Sequence, residues 1–286
     1  MSDDTTAYTP LADVAAEPGV AKPDPLLKVD DVTRAFGGLM AVDVSHLEVQ
    51  RGAITALIGP NGAGKSTLFN VLTGFDRPGS GRWWFDGKKM AHMPAYRVAR
   101  HGLVRTFQLT KALSRLTVLE NLQLAATGQR GEAITAAVFR PLWSRQERAI
   151  RHRADELLER FRLDHLRDEF AGTLSGGQRK LLELARALMV QPTMVMLDEP
   201  MAGVNPALTQ SLLEHIVKLR DEEGLTVCFV EHDMDAVMGI SDWVVCLAEG
   251  QVIAEGPPQS IGTNPAVIDA YLGKQHGTPP AEELTS

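Results

Sequence analysis

Residues 59–67 read Gly-Pro-Asn-Gly-Ala-Gly-Lys-Ser-Thr, and from Gly59 to Ser66 they fit the spacing G-x-x-x-x-G-K-[ST]. That spacing serves anion binding. The run follows the apolar stretch Ala53–Ile58 and precedes the helix-like stretch Thr67–Leu72, so a strand, a glycine turn and a helix start form a phosphate cradle. Gly62 and Gly64 let backbone N–H groups converge on an oxyanion without a Cβ in the way. Lys65 would reach the outer phosphates, and the Ser66 hydroxyl suits Mg²⁺. Two more stretches carry chemistry. Residues 174–178 read Leu-Ser-Gly-Gly-Gln at the start of a helical pattern, where N–H groups and the helix dipole favour a phosphate. Residues 194–200 read Met-Val-Met-Leu-Asp-Glu-Pro, four apolar residues and then the carboxylates Asp198 and Glu199. A strand ending there would deliver Asp198 at the edge of a sheet.

These residues need a frame. Ala53–Ile58, Met194–Leu197, Thr226–Val230 and Trp243–Ala248 are continuously apolar, as strands covered on both faces should be. Helical patterns lie between them; in residues 178–190, Leu181, Leu184, Ala185 and Leu188 share one face. Strands alternating with helices predict a parallel α/β core. The stretch 26–85 alternates more and predicts an antiparallel sheet, and residues 250–256 read as the second strand of a late hairpin. Residues 109–172, rich in Leu, Ala and Arg, predict an inserted helical subdomain, which reaches about residue 190 when the following helix is included.

Length and composition set the limits. The 286 residues, 44% of them hydrophobic, suffice for one large domain with a sizeable core. No apolar run reaches the roughly 18 residues of a membrane span. The start, Met-Ser-Asp-Asp, has no apolar segment and does not read as a secretory signal. Residues 1–24 carry −4 and three prolines, and are expected to be a disordered acidic tail; 274–286 are expected to be a flexible tail, leaving 25–273 as the folded domain. The net charge is −7, and the part between the tails carries only −2, not the basic footprint of a nucleic-acid protein. Cys228 and Cys246 lie in apolar runs and read as core residues.

The order of the motifs resembles the ATP-binding cassette (ABC) family, the motor subunits of ABC transporters, over residues 26–273. The further family marks are Gln108 in Arg-Thr-Phe-Gln and His232 in Val-Glu-His-Asp. The resemblance implies a P-loop NTPase cassette that binds ATP and Mg²⁺. Gly59, Asn61, Gly62, Gly64, Lys65, Ser66 and Thr67 would hold the phosphates, with Lys65 also taking part in catalysis. Ser66, Asp198 and Gln108 would serve Mg²⁺, Asp198 through water. Glu199 would be the general base or orient the attacking water. His232 would bond the γ-phosphate and hold Glu199. Phe36 is either the platform on which adenine stacks or a core residue of an edge strand. In this family Ser175, Gly177 and Gln178 of one subunit face the nucleotide of the other, so two cassettes sandwich two ATP molecules. One departure is Asn205, where many cassettes have Asp.

Several stretches resemble one branch. They are Phe-Gly-Gly-Leu-Met-Ala-Val at 36–42, Val-Arg-Thr-Phe-Gln at 104–108, Thr-Val-Leu-Glu-Asn-Leu at 117–122 and Asn-Pro-Ala-Val-Ile-Asp-Ala-Tyr-Leu-Gly at 264–273. That branch is the LivG-type ATP-binding subunit of branched-chain (hydrophobic) amino acid importers. It implies two multipass permease subunits, a second cassette of LivF type, an extracytoplasmic substrate-binding protein, and a place on the cytoplasmic face of the membrane. Importers of urea or short amides, and the cassette of a lipid or lipopolysaccharide exporter, share much of the pattern. A soluble non-transport ABC ATPase lacks support, since such chains usually bring two cassettes, a coiled coil or zinc-binding cysteines. Residues 129–153 hold six Arg and two Glu. They read as a solvated helix face or as a surface near lipid headgroups or the membrane partner.

Overall fold

The computed structural model describes residues 11–106, 113–127 and 140–272, with the backbone alone for 140–144. Two sheets organise them. In the first, β1 (Pro25–Phe36) pairs antiparallel with β2 (Leu39–Gln50). The chain then leaves for β3 (Ile54–Ile58), the loop 59–64 and α1 (Lys65–Leu72), and returns with β4 (Ser80–Phe85) and β5 (Lys88–Lys89) to complete the order β2-β1-β4-β5. A short helix, α2 (Ala95–Arg100), follows and leads to β6 (Leu103–Arg105).

The second sheet holds β3, β6, β7 (Met194–Asp198), β8 (Thr226–Val230), β9 (Trp243–Ala248) and β10 (Gln251–Gly256), in the order β10-β9-β3-β8-β7-β6. All its pairs are parallel except β9 with β10, the late hairpin. Every residue of β3, β7 and β8 is buried, because the sheet is covered on both faces. Alternate residues of β3 serve different cores. Ile54, Ala56 and Ile58 pack with the helical layer, and Leu57 packs with α1 and the antiparallel sheet.

The helical insertion contains α3 (Val118–Ala125), α4 (Arg140–Arg160) and α5 (Gly176–Leu188). Thr117 starts α3 with a capping box: its hydroxyl accepts the Glu120 N–H at 3.1 Å, and the Glu120 carboxylate accepts the Thr117 N–H at 2.7 Å. Asn121 is fully buried and bonds both backbone groups of Leu113, at 2.9 and 3.1 Å, which fixes the chain entering this layer. Arg145, Arg148 and Arg151 lie exposed along α4. After β7, α6 (Pro206–Glu223) and α7 (Met234–Ile240) follow, and α8 (Pro258–Gly262) and α9 (Pro265–Leu272) close the described chain.

The expected structureless tail over residues 1–24 does not hold for its second half. Leu11 is buried, and the segment runs onto the hairpin β9–β10. Glu255 explains this. Its buried carboxylate accepts the Gly19 and Val20 N–H groups and the Trp243 indole N–H, and pairs with the Lys22 ammonium at 2.8 Å. Lys22 also lies 4.4 Å above the Trp243 ring. Burial holds its pKa below the ordinary lysine value, against the pull of Glu255. Composition suggested disorder because the anchor is one ion pair rather than an apolar run. Residues 1–10 and 273–286 lie outside the described residues.

Candidate active site

The phosphate loop forms where β3 ends against its neighbour β9. Gly59 has φ 146°, and a Cβ there would lie 2.1 Å from the Leu247 carbonyl oxygen of β9. Gly64 has φ 99°, and its Cβ would lie 2.2 Å from the Ala41 carbonyl oxygen of β2. Backbone packing thus demands glycine at both ends of the loop. No side chain caps α1 at Gly64, an N-terminus suited to an external oxyanion. The Lys65 ammonium curls over the loop and donates to the carbonyls of Gly59 and Pro60 at 2.6 and 3.1 Å. Asn61, Gly62 and Ser66 are exposed around it, and Thr67 is half-buried.

Asp198 ends β7 and is buried. One carboxylate oxygen takes the Arg105 guanidinium at 2.6 Å, and the same guanidinium reaches Asn70 of α1 at 2.6 Å. Arg105 thereby ties together β6, α1 and β7. Asp198 and the Ser66 hydroxyl are hard oxygen donors of the kind Mg²⁺ takes alongside substrate phosphates. Among the described residues no three His, Cys, Asp or Glu side chains cluster as a metal cage. The neighbouring Glu199 is half-buried and adopts φ 47°, a left-handed conformation uncommon for a non-glycine residue. Its N–H donates to the Val230 carbonyl at 3.0 Å, so the turn after β7 is held against the end of β8.

There the chain places Glu231 and His232. Glu231 is buried, and its two carboxylate oxygens accept the N–H groups of Met201, at 2.9 Å, and His232, at 3.1 Å. The strained turn bearing Glu199 and the stretch bearing His232 are therefore fastened side by side. The His232 side chain is exposed. Phe36 is 48% exposed at the end of β1, so it is not a core residue. The Arg34 guanidinium lies 4.5 Å from its ring and pairs with Asp76 at 2.9 Å.

Ser175 and Gln178 are the two halves of a capping box on α5, with bonds of 2.9 and 3.3 Å between them. Ser175 and Gly176 are exposed, whereas Gly177 is buried; a Cβ on it would meet Leu208 of α6 at 2.4 Å. Asn205 caps α6, accepting the Leu208 N–H at 3.0 Å with Pro206 next. Asn caps as well as Asp, which accounts locally for the departure at this position. Gln108 lies outside the described residues. Burial pushes the Cys228 thiol up to about 12 and that of Cys246 to about 11, so both are inert core groups.

Sequence reasoning missed Arg105, Glu231 and Tyr271. The Tyr271 hydroxyl accepts the Gly59 N–H at 2.9 Å from 212 residues away. Arg105 and Glu231 sit inside motifs that were quoted, next to the expected residues, but nothing local announced their burial.

A parallel sheet with a glycine loop at one strand end, a buried Asp at another and a capped Ser-Gly-Gly-Gln helix define a phosphate-binding α/β domain with an inserted helical layer. A model described as "ABC transporter" matches residues 42–202, and one described as "Branched-chain amino acid ATP-binding cassette transporter" matches 251–277. The high-affinity branched-chain amino acid transport ATP-binding protein BraF of Pseudomonas aeruginosa is 43% identical over 87% of this chain and 98% of its own length. The corresponding LivG protein of Escherichia coli K12 is 41% identical over the same shares. Among solved structures, the ADP conformation of an ATP-binding cassette of an ABC transporter is 38% identical with a TM-score of 0.76, covering 87% of this chain and 99% of that one. A dimeric cassette in a post-hydrolysis state, bound to ADP and Pi, is 26% identical with a TM-score of 0.68, covering 81% and 98%. The chain belongs to the ABC transporter family, as one of its ATP-binding, ATP-hydrolysing cassettes.

Proposed function

We propose that this chain is the motor subunit of an importer of branched-chain amino acids. The observation that carries the reading is the identity of 43% with a branched-chain amino acid transport ATP-binding protein over 98% of that protein. Its partners in this reading are two multipass permease subunits, a second cassette of LivF type and, indirectly, an extracytoplasmic binding protein. The chain sits peripherally on the cytoplasmic face of the membrane. No helix among the described residues is long and apolar enough to cross a membrane.

The chemistry follows from the site. The loop 59–67 clamps the phosphates of ATP, and Lys65 turns from the Gly59 and Pro60 carbonyls to the outer phosphates. Ser66, Asp198 and Gln108 would hold Mg²⁺, which would supply positive charge against the phosphate oxygens. Glu199 orients the attacking water, and His232 holds the γ-phosphate side of the site. Phe36 stacks on adenine. Ser175, Gly177 and Gln178 present the α5 N-terminus to the nucleotide of the opposite cassette. ATP then binds two cassettes together, and cleavage releases them; that two-state motion drives the permeases.

The test is uptake of labelled leucine by cells lacking this gene. Restoration by the parent chain but not by Lys65→Ala is expected. Unchanged leucine uptake in the deletion strain, with loss of urea or short-amide uptake or of lipid export, would contradict the assignment of substrate.

A further inference from the structure

We propose that Tyr271 is a positioning residue for the phosphate loop, through which the C-terminal helix α9 sets the loop for nucleotide. This inference rests on the nucleotide reading of residues 59–67. Gly59 lies one residue past the last ladder pair of β3, Ile58 with Cys246, and the hydroxyl of Tyr271 accepts its N–H at 2.9 Å. The Gly59 carbonyl in turn accepts the Lys65 ammonium at 2.6 Å. Tyr271 therefore stands two hydrogen bonds from the lysine that reaches for phosphate. On its other side Gly59 abuts the Leu247 carbonyl so closely that a Cβ would lie 2.1 Å away. The first residue of the loop is held between β9 and Tyr271, and its carbonyl is aimed by both.

The tyrosine is itself well seated. It is half-buried and packed on the core that contains Ile58 and Cys246. Burial raises its pKa above the ordinary tyrosine value, so the hydroxyl is protonated throughout the physiological range. Without that hydroxyl the Gly59 N–H has lost its acceptor in a partly buried place, and the loop must rearrange to satisfy it. Nucleotide binding would then have to restore the arrangement, a cost that preorganisation avoids. The match of residues 251–277 to a branch-specific model says nothing of what that segment does; a hydrogen bond into the phosphate loop gives it a task.

Tyr271→Phe keeps the ring and removes only the hydroxyl. In the full-length protein, titration with fluorescent ATP and ADP analogues should show both dissociation constants raised about three- to tenfold, the scale of one net hydrogen bond. ADP is affected because the loop cradles the phosphates that ADP retains. At saturating ATP, kcat should stay within about twofold, since the lost interaction belongs to binding rather than to the transition state. Thr117→Ala, which removes a helix cap in the helical layer, gives the affinity change caused by lost stability alone. Parental dissociation constants for Tyr271→Phe, or a rise no larger than that of Thr117→Ala at equal loss of Tm, would overturn the proposal. Failure of the parent chain to bind either nucleotide would overturn the nucleotide reading itself.

Discussion

Glu199, the carboxylate proposed to orient the attacking water, lies in a strained backbone conformation. A left-handed φ of 47° on a glutamate costs about 1–3 kcal/mol and persists only because neighbours enforce it. The Val230 carbonyl holds its N–H, and Glu231 holds the N–H of Met201 two residues on. The conformation turns Glu199 away from the line of β7, so two adjacent carboxylates stand in different surroundings: Asp198 is buried against Arg105, while Glu199 is half-buried. Glu199→Gln keeps shape and hydrogen bonding but removes the charge. Its steady-state ATP hydrolysis should fall about 10²- to 10⁴-fold while ATP still binds. Hydrolysis at the parental rate would remove Glu199 from the mechanism.

At the scale of elements, the proposed function gives the α5 N-terminus a second duty beside its capping box, and one experiment can separate the two. In the single chain, Ser175 and Gln178 cap each other, so Ser175→Ala should cost about 1 kcal/mol of stability in urea unfolding. If the same serine also faces a second nucleotide, hydrolysis by the paired cassettes should fall by more than the stability loss explains. The strands were legible in sequence to within a residue: Ala53–Ile58 became Ile54–Ile58, and Met194–Leu197 gained Asp198. Continuous apolar runs permit few other fates. β6 was not legible, because three residues at a sheet edge carry no period. The segment anchored by Lys22 and Glu255, and the contact of Tyr271 with Gly59, were equally silent. Each joins residues more than 200 positions apart, and local pattern holds no trace of such pairs. The loop between β3 and α1 and the start of α5 were legible because flanking apolar and helical patterns mark them.

For the whole molecule, the helical layer must stay docked on the parallel core for the two sites to keep their geometry. His215 of α6 lies in that interface, with its ring centroid 4.8 Å from that of Phe161 at the end of α4. Burial first, and then the cationic Lys218, Arg160 and Arg162, hold its pKa below the ordinary value of 6.5, against a weaker pull from Glu214. The unfolded chain therefore takes up this proton before the folded one does. The contribution of His215 to stability is complete above about pH 6.5 and is lost as pH falls from there toward the folded pKa. His215→Phe keeps an aromatic partner for Phe161 and cannot titrate. Its Tm should decline less than the parent's between pH 7.5 and 5.5; parallel declines would mean that His215 is not protonated differently in the two states.

The proposed function requires that ATP be shared between two cassettes. Light scattering on Glu199→Gln, alone and mixed with a LivF-type cassette as the proposed companion, measures this directly. With Mg²⁺ and ATP the expected species has the mass of two cassettes, and it should fall apart when ADP replaces ATP or when Ser175 is changed to Arg. A single-cassette mass under every nucleotide condition, together with full ATP turnover by the dilute monomeric parent, would contradict it.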